Sequence, residues 1–483
     1  MNTAQLLING QLRDATGGKT FERINPVTGE VATVAAAAQP EDVAAAVEAA
    51  QQAFMHWSAL SPTERRNRLL KAADLMEKRI SDFISVARQE TGSTDSWYGF
   101  NAQLSANILR EAASMTTHIR GEIIPTDVPG NISTAIRVPV GVVLSIAPWN
   151  APIILAMRAI AMPLACGNTV VLKASEISPA THALIGEVLN EAGIGAGVVN
   201  VITNAPEDAP KVVEQLIAHP AVRRINFTGS TKVGRIIASV AAKHLKPVLL
   251  ELGGKAPVIV CEDADIEQAV AGVAFGAYFN QGQICMSTER LIVHEAIADE
   301  FLGKLVEKIK SISVGSPDAE GTTFAYLESK ESAQRIQSLV EDAVAKGAEL
   351  PVPLNIQGAL MYPLVVNGVT PEMKLYYEES FGPVVTMTTY RDIEEAIDLA
   401  NDTPYGLSAA VFSQDVNQAL AIAQRIESGI CHINGPTVHD EAQAPFGGIK
   451  ESGYGRFGSR SAIEEFTELR WVTIQTTKRQ YPL

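Results

Sequence analysis

The sequence predicts an α/β protein whose centre is a Rossmann-like, doubly wound parallel sheet. Three observations carry this. The chain has 483 residues, too many for one ordinary core, so two or three domains are expected. From about Gly141 the pattern strand, turn, helix repeats. The strand runs are apolar almost throughout, as in a parallel sheet covered on both faces.

Taken in order, the N-terminal stretch alternates short strand-like runs with turns, at Leu7-Ile8-Asn9-Gly10 and Asn25-Pro26-Val27-Thr28-Gly29. A helix is expected from Pro40, with Glu41 and Asp42 in its first turn. Val43, Val47, Ala50, Phe54 and Trp57 recur every three or four residues and give it one apolar face. Residues 121–137 read as a hairpin turning at Pro129-Gly130-Asn131. The strands of the repeat are 141–146, 169–173, 198–202 and 224–227, and ligands bind at the carboxyl ends of such a sheet. A second αβ series follows Glu251-Leu252-Gly253-Gly254-Lys255 and runs to about residue 450. The tail Arg470-Trp471-Val472-Thr473-Ile474-Gln475 reads as a lone strand in need of a partner edge, which another subunit can supply.

Composition narrows the class. With 46% hydrophobic and 19% charged residues the chain is globular rather than disordered. A formal charge of −15 and no basic stripe argue against nucleic acid or an anionic membrane surface as partner. Residues 138–157 carry no charge and are long enough to span a bilayer, but Pro139, Pro148, Asn150 and Pro152 would break such a helix. A buried strand, a turn and a helix are expected there instead. The four cysteines, Cys166, Cys261, Cys285 and Cys431, form no CxxC pair. Reduced thiols in a cytoplasmic enzyme are expected, and the N-terminus has no signal-peptide pattern. Gly17-Gly18-Lys19-Thr20 lacks the earlier glycine of a P-loop, since Arg13 stands there.

Four segments carry candidate chemistry. Cys285 follows Asn280-Gln281-Gly282-Gln283-Ile284, where backbone can approach a substrate closely. A lone cysteine is more often a small buried hydrophobe than a nucleophile. Glu251 closes an apolar strand, so it is either a base with a raised pKa or one half of an ion pair with Lys255 or another cation. Phe227-Thr228-Gly229-Ser230 joins a strand to a helix and presents backbone N–H groups suited to a phosphate. Asn150, in Pro148-Trp149-Asn150 at a strand end, is either an oxyanion donor or a turn former.

Together these segments resemble the aldehyde dehydrogenase superfamily over nearly the whole chain. The resemblance rests on PWN at 148–150, KASE at 173–176, FTGS at 227–230, ELGGK at 251–255, the GQxC at 282–285, EESFGPV at 378–384 and PFGG at 445–448. It implies that Cys285 is the nucleophile, Glu251 the general base and Asn150 an oxyanion donor. It implies NAD as cofactor, held by Trp149, Lys173, Glu176, Gly229, Ser230, Glu379 and Phe381, and no metal. The Glu176 carboxylate would accept both ribose hydroxyls and repel a 2′-phosphate. The implied domains are residues 1–120 and 139–252 for NAD, 253–450 for catalysis, and 121–138 with 465–483 for assembly into a homodimer or homotetramer.

The family pattern places the substrate among Trp97, Ala151, Leu155, Arg158, Ile284, Met286 and residues 438–440. Ala151 leaves room for a ring. Arg158 is expected either to meet a hydroxyl, phenolate or carboxylate of the substrate or to pair with an acidic side chain. The loop Asn434–Gln443 resembles aromatic-aldehyde members such as salicylaldehyde, vanillin and benzaldehyde dehydrogenases, and the overall resemblance is closest to salicylaldehyde dehydrogenase. That implies oxidation of salicylaldehyde to salicylate. The alternatives are a semialdehyde or other aliphatic aldehyde dehydrogenase using Arg158, and a non-catalytic homologue, which the intact Cys285, Glu251 and Asn150 disfavour. His439 and Asp440 are expected to shape their loop rather than act as a catalytic pair.

Overall fold

The computed structural model describes residues 1–458 and 460–482; Leu483, the last residue of the expected assembly segment, lies outside them. Its centre is an eight-stranded sheet with five parallel strands in the order Val248–Glu251, Val222–Thr228, Val142–Ile146, Thr169–Lys173 and Val199–Ile202. Antiparallel strands flank it: Gly453–Tyr454 on one side, Leu6–Ile8 and then Gln11–Arg13 on the other. The chain starts in the middle, winds outward to Val199–Ile202, then returns to the far side of Val142–Ile146. The strand order therefore reverses between Val142–Ile146 and Val222–Thr228, and a crevice opens there at the carboxyl ends. Pro148-Trp149-Asn150 follows one of these strands and Gly229-Ser230 the other.

Local sequence explains the elements around that crevice. The uncharged 138–157 stretch resolves into the strand Val142–Ile146 and the first turns of the helix Pro152–Ala165, which starts on a proline and is buried along its whole length. Among the described residues no helix is long and apolar enough to cross a membrane. The helix expected at Pro40 spans Pro40–Ala59 and buries Val43, Val47, Ala50 and Trp57. The helix Asp95–Met115, capped by the Thr94 hydroxyl, lies against Pro152–Ala165 and brings Trp97 toward the site.

The second αβ series builds a six-stranded, all-parallel sheet in the order Leu364–Asn367, Val384–Tyr390, Thr288–His294, Ala256–Val260, Ser408–Phe412, Ile430–Ile433. The third layer corrects the lone-strand expectation. Thr467–Gln475 is not without a partner in its own chain: it pairs antiparallel with Asn131–Pro139 over nine residues, and Glu122–Ile124 pairs on the other side. The hairpin of residues 121–137 is present, and it supplies the edge that the tail needed.

Thr467–Gln475 remains an edge of this sheet among the described residues. Ile123, Ile132, Leu469, Trp471 and Ile474 stand exposed on its strands. An open edge with exposed apolar side chains suits contact with another subunit. The double substitution Ile123→Lys, Trp471→Lys is expected to shift the protein to a smaller species in sedimentation velocity without loss of its circular dichroism spectrum.

Candidate active site

Cys285 is presented by a strained loop between the helix Ile266–Tyr278 and the strand Thr288–His294. Asn280, Gln281 and Gly282 are left-handed in succession, with φ of 48°, 56° and 70°. Asn and Gly tolerate this region; Gln does so at a cost, so tertiary bonds must hold the loop. The Ser93 hydroxyl donates to Asn280 Oδ1 at 2.6 Å, and Asn280 Nδ2 donates to the Asn150 carbonyl at 3.1 Å. Glu328 N–H donates to Gln283 Oε1 at 3.0 Å. Two glycines let neighbouring backbone in: a Cβ at Gly282 would lie 2.1 Å from the Gly382 carbonyl oxygen, and one at Gly254 would lie 2.3 Å from that of Cys285.

Glu251 ends the strand Val248–Glu251 beneath this loop, 1% exposed, and neither carboxylate oxygen has a hydrogen-bond partner among the described residues. Burial pushes its pKa up to about 7, against the pull of the nearby Cys285 thiol and the Arg158 charge. Burial and the Glu251 charge in turn push the Cys285 thiol up. The two groups therefore share a proton economy: the thiol ionises only with a base at hand, and the base beside it is near neutrality. The ion-pair reading of Glu251 with Lys255 is not what forms. Lys255 is fully buried and pairs with Glu289. Asn150 Nδ2 donates to the Gln283 carbonyl at 2.9 Å, which leaves its second amide hydrogen for another acceptor. Its own carbonyl also accepts from the Trp97 indole N–H at 3.0 Å.

Two cavities meet at these residues. Cys285, Asn150 and Leu155 line both. The first, about 310 Å³, lies along the crevice and is walled by Trp149, Gly229, Ser230, Glu251, Glu379 and Phe381. Its geometry suits a dinucleotide. Gly229 has no room for a side chain, since a Cβ there would meet the Phe227 ring at 2.5 Å. Ser230 caps the helix Thr231–Lys243, whose N-terminus points at the crevice. Lys173 and Glu176 do not line this cavity. They form an ion pair at the end of the neighbouring strand, and Asn204 Nδ2 donates to Glu176 Oε1 at 2.9 Å. Arg335, not foreseen from sequence, also lines the cavity and donates to the carbonyls of Glu379 and Ser380.

Glu289 is the other residue that the sequence did not bring forward. It accepts from the backbone N–H groups of Ser380 and Phe381 at 2.9 and 3.0 Å while pairing with Lys255. It thereby joins the ELGGK turn to the loop that carries Glu379 and Phe381, and Phe381 is held at φ 47°. Glu379 accepts from Gly254 N–H at 2.9 Å, and burial with the Glu289 charge raises its pKa to about 8. The available signal was a carboxylate two residues before the apolar run Leu291-Ile292-Val293 of the strand Thr288–His294.

The second cavity, about 440 Å³, gathers every residue expected at the substrate: Trp97, Ala151, Leu155, Arg158, Ile284, Met286, Val438, His439 and Asp440. It adds an aromatic wall of Phe100, Phe275, Phe279 and Phe446. Phe275 and Phe279 stack at 4.8 Å, and Phe279 meets Trp97 edge-on at 5.0 Å. Their spacing of four, just before the cysteine loop, was the legible signal. Arg158 reaches the cavity, but not as a free cation. It is ion-paired with Asp440 and its guanidinium lies 4.3 Å over the Phe446 ring. His439 meets Glu441, so His439 and Asp440 do not form a catalytic pair.

Residues 12–472 match the model of the aldehyde dehydrogenase family. The chain belongs to that family. It is 60% identical to a vanillin dehydrogenase of Pseudomonas fluorescens, over 99% of both chains. It is 51% identical to a salicylaldehyde dehydrogenase of Pseudomonas sp. strain C18, again over 99% of both. Its fold superimposes on the crystal structure of a salicylaldehyde dehydrogenase from Pseudomonas putida G7 complexed with salicylaldehyde, with a TM-score of 0.98 at 50% identity and full coverage of both chains. Aldehyde dehydrogenases oxidise small-molecule aldehydes with NAD or NADP and are typically oligomeric.

The Glu289 bridge generates a stability prediction for this aldehyde dehydrogenase. Glu289→Ala leaves Lys255 buried without its partner and is expected to destabilise the fold by about 3–5 kcal/mol, measured by urea unfolding.

Proposed function

We propose that the chain oxidises a hydroxylated aromatic aldehyde to its carboxylate with NAD and water, with salicylaldehyde to salicylate the specific reaction that the sequence resemblance favours. The observation that carries the reading is the meeting of two cavities at Cys285 above a buried, unpaired carboxylate. One cavity holds the Gly229-Ser230 turn with Glu251 and Glu379 and suits a dinucleotide, the other is aromatic and wide enough for a ring. Relatives named for salicylaldehyde and vanillin support a hydroxylated ring. The semialdehyde alternative loses its main support, because Asp440 already neutralises the Arg158 charge that would bind a second carboxylate.

Each residue then has a role. Glu251 takes the Cys285 proton, and the thiolate adds to the aldehyde carbon. Asn150 Nδ2 and the Cys285 N–H donate to the oxyanion of the resulting thiohemiacetal. One such donor is worth about 3 kcal/mol of barrier, roughly a hundredfold in rate. When bound, the nicotinamide supplies the acceptor for the hydride that leaves this carbon as its oxygen reforms a carbonyl. Cys285 is then a thioester. Once Glu251 has passed the first proton to solvent, it removes a proton from water as the water attacks, and the thiolate leaves, releasing the acid. Glu176, oriented by Lys173 and Asn204, would accept the adenosine ribose hydroxyls, and its charge disfavours a 2′-phosphate. Glu379 would hold the nicotinamide ribose, and Trp149 and Phe381 would flank that end. On this reading residues 1–120 and 139–252 carry the cofactor, 253–450 carry the thiol, and 121–138 with 465–483 assemble subunits.

Cys285→Ala is expected to abolish turnover while NAD still quenches protein fluorescence. Glu251→Gln leaves the thiol without the base beside it, so one equivalent of NADH should form slowly before the enzyme stalls at the thioester. Since Glu251 must be ionised, and burial holds its pKa at about 7, wild-type kcat should fall toward tenfold per pH unit below neutrality. A profile flat from pH 8 to 5.5 would assign the base elsewhere. The function itself is tested by kcat/KM for salicylaldehyde, vanillin, benzaldehyde and succinate semialdehyde with each cofactor. Aromatic substrates with NAD should lead by at least about tenfold; preference for the aliphatic acid would overturn the reading.

A further inference from the structure

We propose that Asp440 reads a hydroxyl group on the edge of the aromatic ring remote from the aldehyde, so that a 3- or 4-hydroxyl is preferred over a 2-hydroxyl. This rests on the aromatic-aldehyde reading above and departs from its salicylaldehyde assignment, whose hydroxyl is ortho to the aldehyde.

The first observation is an unmet acceptor. The Asp440 side chain is 10% exposed, and its Oδ2 accepts from Arg158. Its Oδ1 is sealed from solvent and has no hydrogen-bond partner among the described residues. Leaving such an oxygen without a donor is costly, and a donor brought by a ligand recovers that cost. The terminal torsion of an aspartate is broad, so a small turn presents Oδ1 to the cavity while Oδ2 keeps Arg158. The guanidinium cannot turn away easily, being stacked on Phe446.

The second observation is position. The substrate cavity has two ends. At one, Cys285, Asn150 and Leu155 are shared with the cofactor cavity. At the other, Asp440 and Phe100 are shared with an open outer groove that continues past Gln103, Arg110 and Gln443. A ring whose aldehyde carbon lies at Cys285 therefore points its far edge toward Asp440. Its ortho positions stay near the reacting end, where the apolar Ile284 and Met286 flank Cys285 in the chain. A neutral hydroxyl can donate to the carboxylate. A methoxy group cannot, and a phenolate is repelled by it.

A hydrogen bond to a charged group is worth about ten- to a hundredfold in affinity. The test measures kcat/KM for 2-, 3- and 4-hydroxybenzaldehyde, 4-methoxybenzaldehyde and benzaldehyde on the wild-type enzyme and on Asp440→Asn. In the wild type, 3- or 4-hydroxybenzaldehyde should exceed both 4-methoxybenzaldehyde and the 2-hydroxy isomer by about tenfold or more. In Asp440→Asn, which can turn an amide donor toward the ring, the hydroxy-to-methoxy ratio should collapse toward one. The ratio is internal to each protein, so a general loss of activity in the variant does not mimic it. A wild-type ratio near one, or preference for the 2-hydroxy isomer, overturns the role of Asp440 while leaving the aromatic function standing. Failure of the wild type to oxidise any of the five aldehydes overturns both. Should Asp440→Asn not fold, the wild-type comparison alone decides.

Discussion

A Cβ at Gly254 would lie 2.3 Å from the Cys285 carbonyl oxygen, and one at Gly282 would lie 2.1 Å from that of Gly382. This mutual approach of three backbone segments is the constraint on which the site depends. It brings the ELGGK turn, the cysteine loop and the FGP loop to one place, and no residue but glycine can stand at the two contacts. The left-handed run Asn280–Gly282 follows from it. That strain is retained because hydrogen bonds from Ser93 and Glu328 and to Asn150 hold the loop from three sides. The Lys255–Glu289 pair ties the same segments together from beneath, and the backbone bonds to Glu289 orient Phe381 at the cavity wall.

Electrostatics then divide the carboxylates of the site by their surroundings. Glu289 has a buried cation and backbone donors. Glu251 has neither, and raising its pKa from 4.5 to about 7 corresponds to about 3 kcal/mol of disfavour toward its charge. This is the condition a base needs if it is to accept and release protons near neutral pH. Glu379 lies between these cases: it accepts from Gly254, but the neighbouring Glu289 charge and its burial raise it. In the substrate cavity the same logic runs in reverse. Arg158 is neutralised by Asp440, which leaves an apolar, aromatic space with one polar feature rather than a cationic one.

The fold brings these groups together through strand ends. Trp149, Asn150, Gly229, Ser230 and Glu251 all lie at or just past the carboxyl ends of the central parallel strands, on both sides of the point where the strand order reverses. Cys285 comes from the other sheet, between the helix Ile266–Tyr278 and the strand Thr288–His294. A reaction site at the junction needs both layers, which is why neither αβ series alone contains it. The substrate cavity likewise takes Trp97, Ala151 and Arg158 from one side and Ile284, Met286 and Asp440 from the other.

The sequence by itself determined what is local. Apolar runs at strand spacing, a proline opening a helix and glycines at tight turns were legible because each reflects the backbone preferences of neighbouring residues. So were the short motifs that carry Cys285, Glu251 and Asn150, and the residues from Trp97 to Met286 that line the second cavity. Tertiary structure alone decided the pairings. Lys255 took Glu289, 34 residues on, rather than Glu251. Arg158 took Asp440, 282 residues away. The tail strand found its edge in Asn131–Pro139 of its own chain. Periodicity says which face of an element is buried, but not which distant charge or edge will be buried against it. That choice is made by the crossing of chain segments in three dimensions, where a buried cation such as Lys255 or a strand with no pairing edge is costly to leave without a partner.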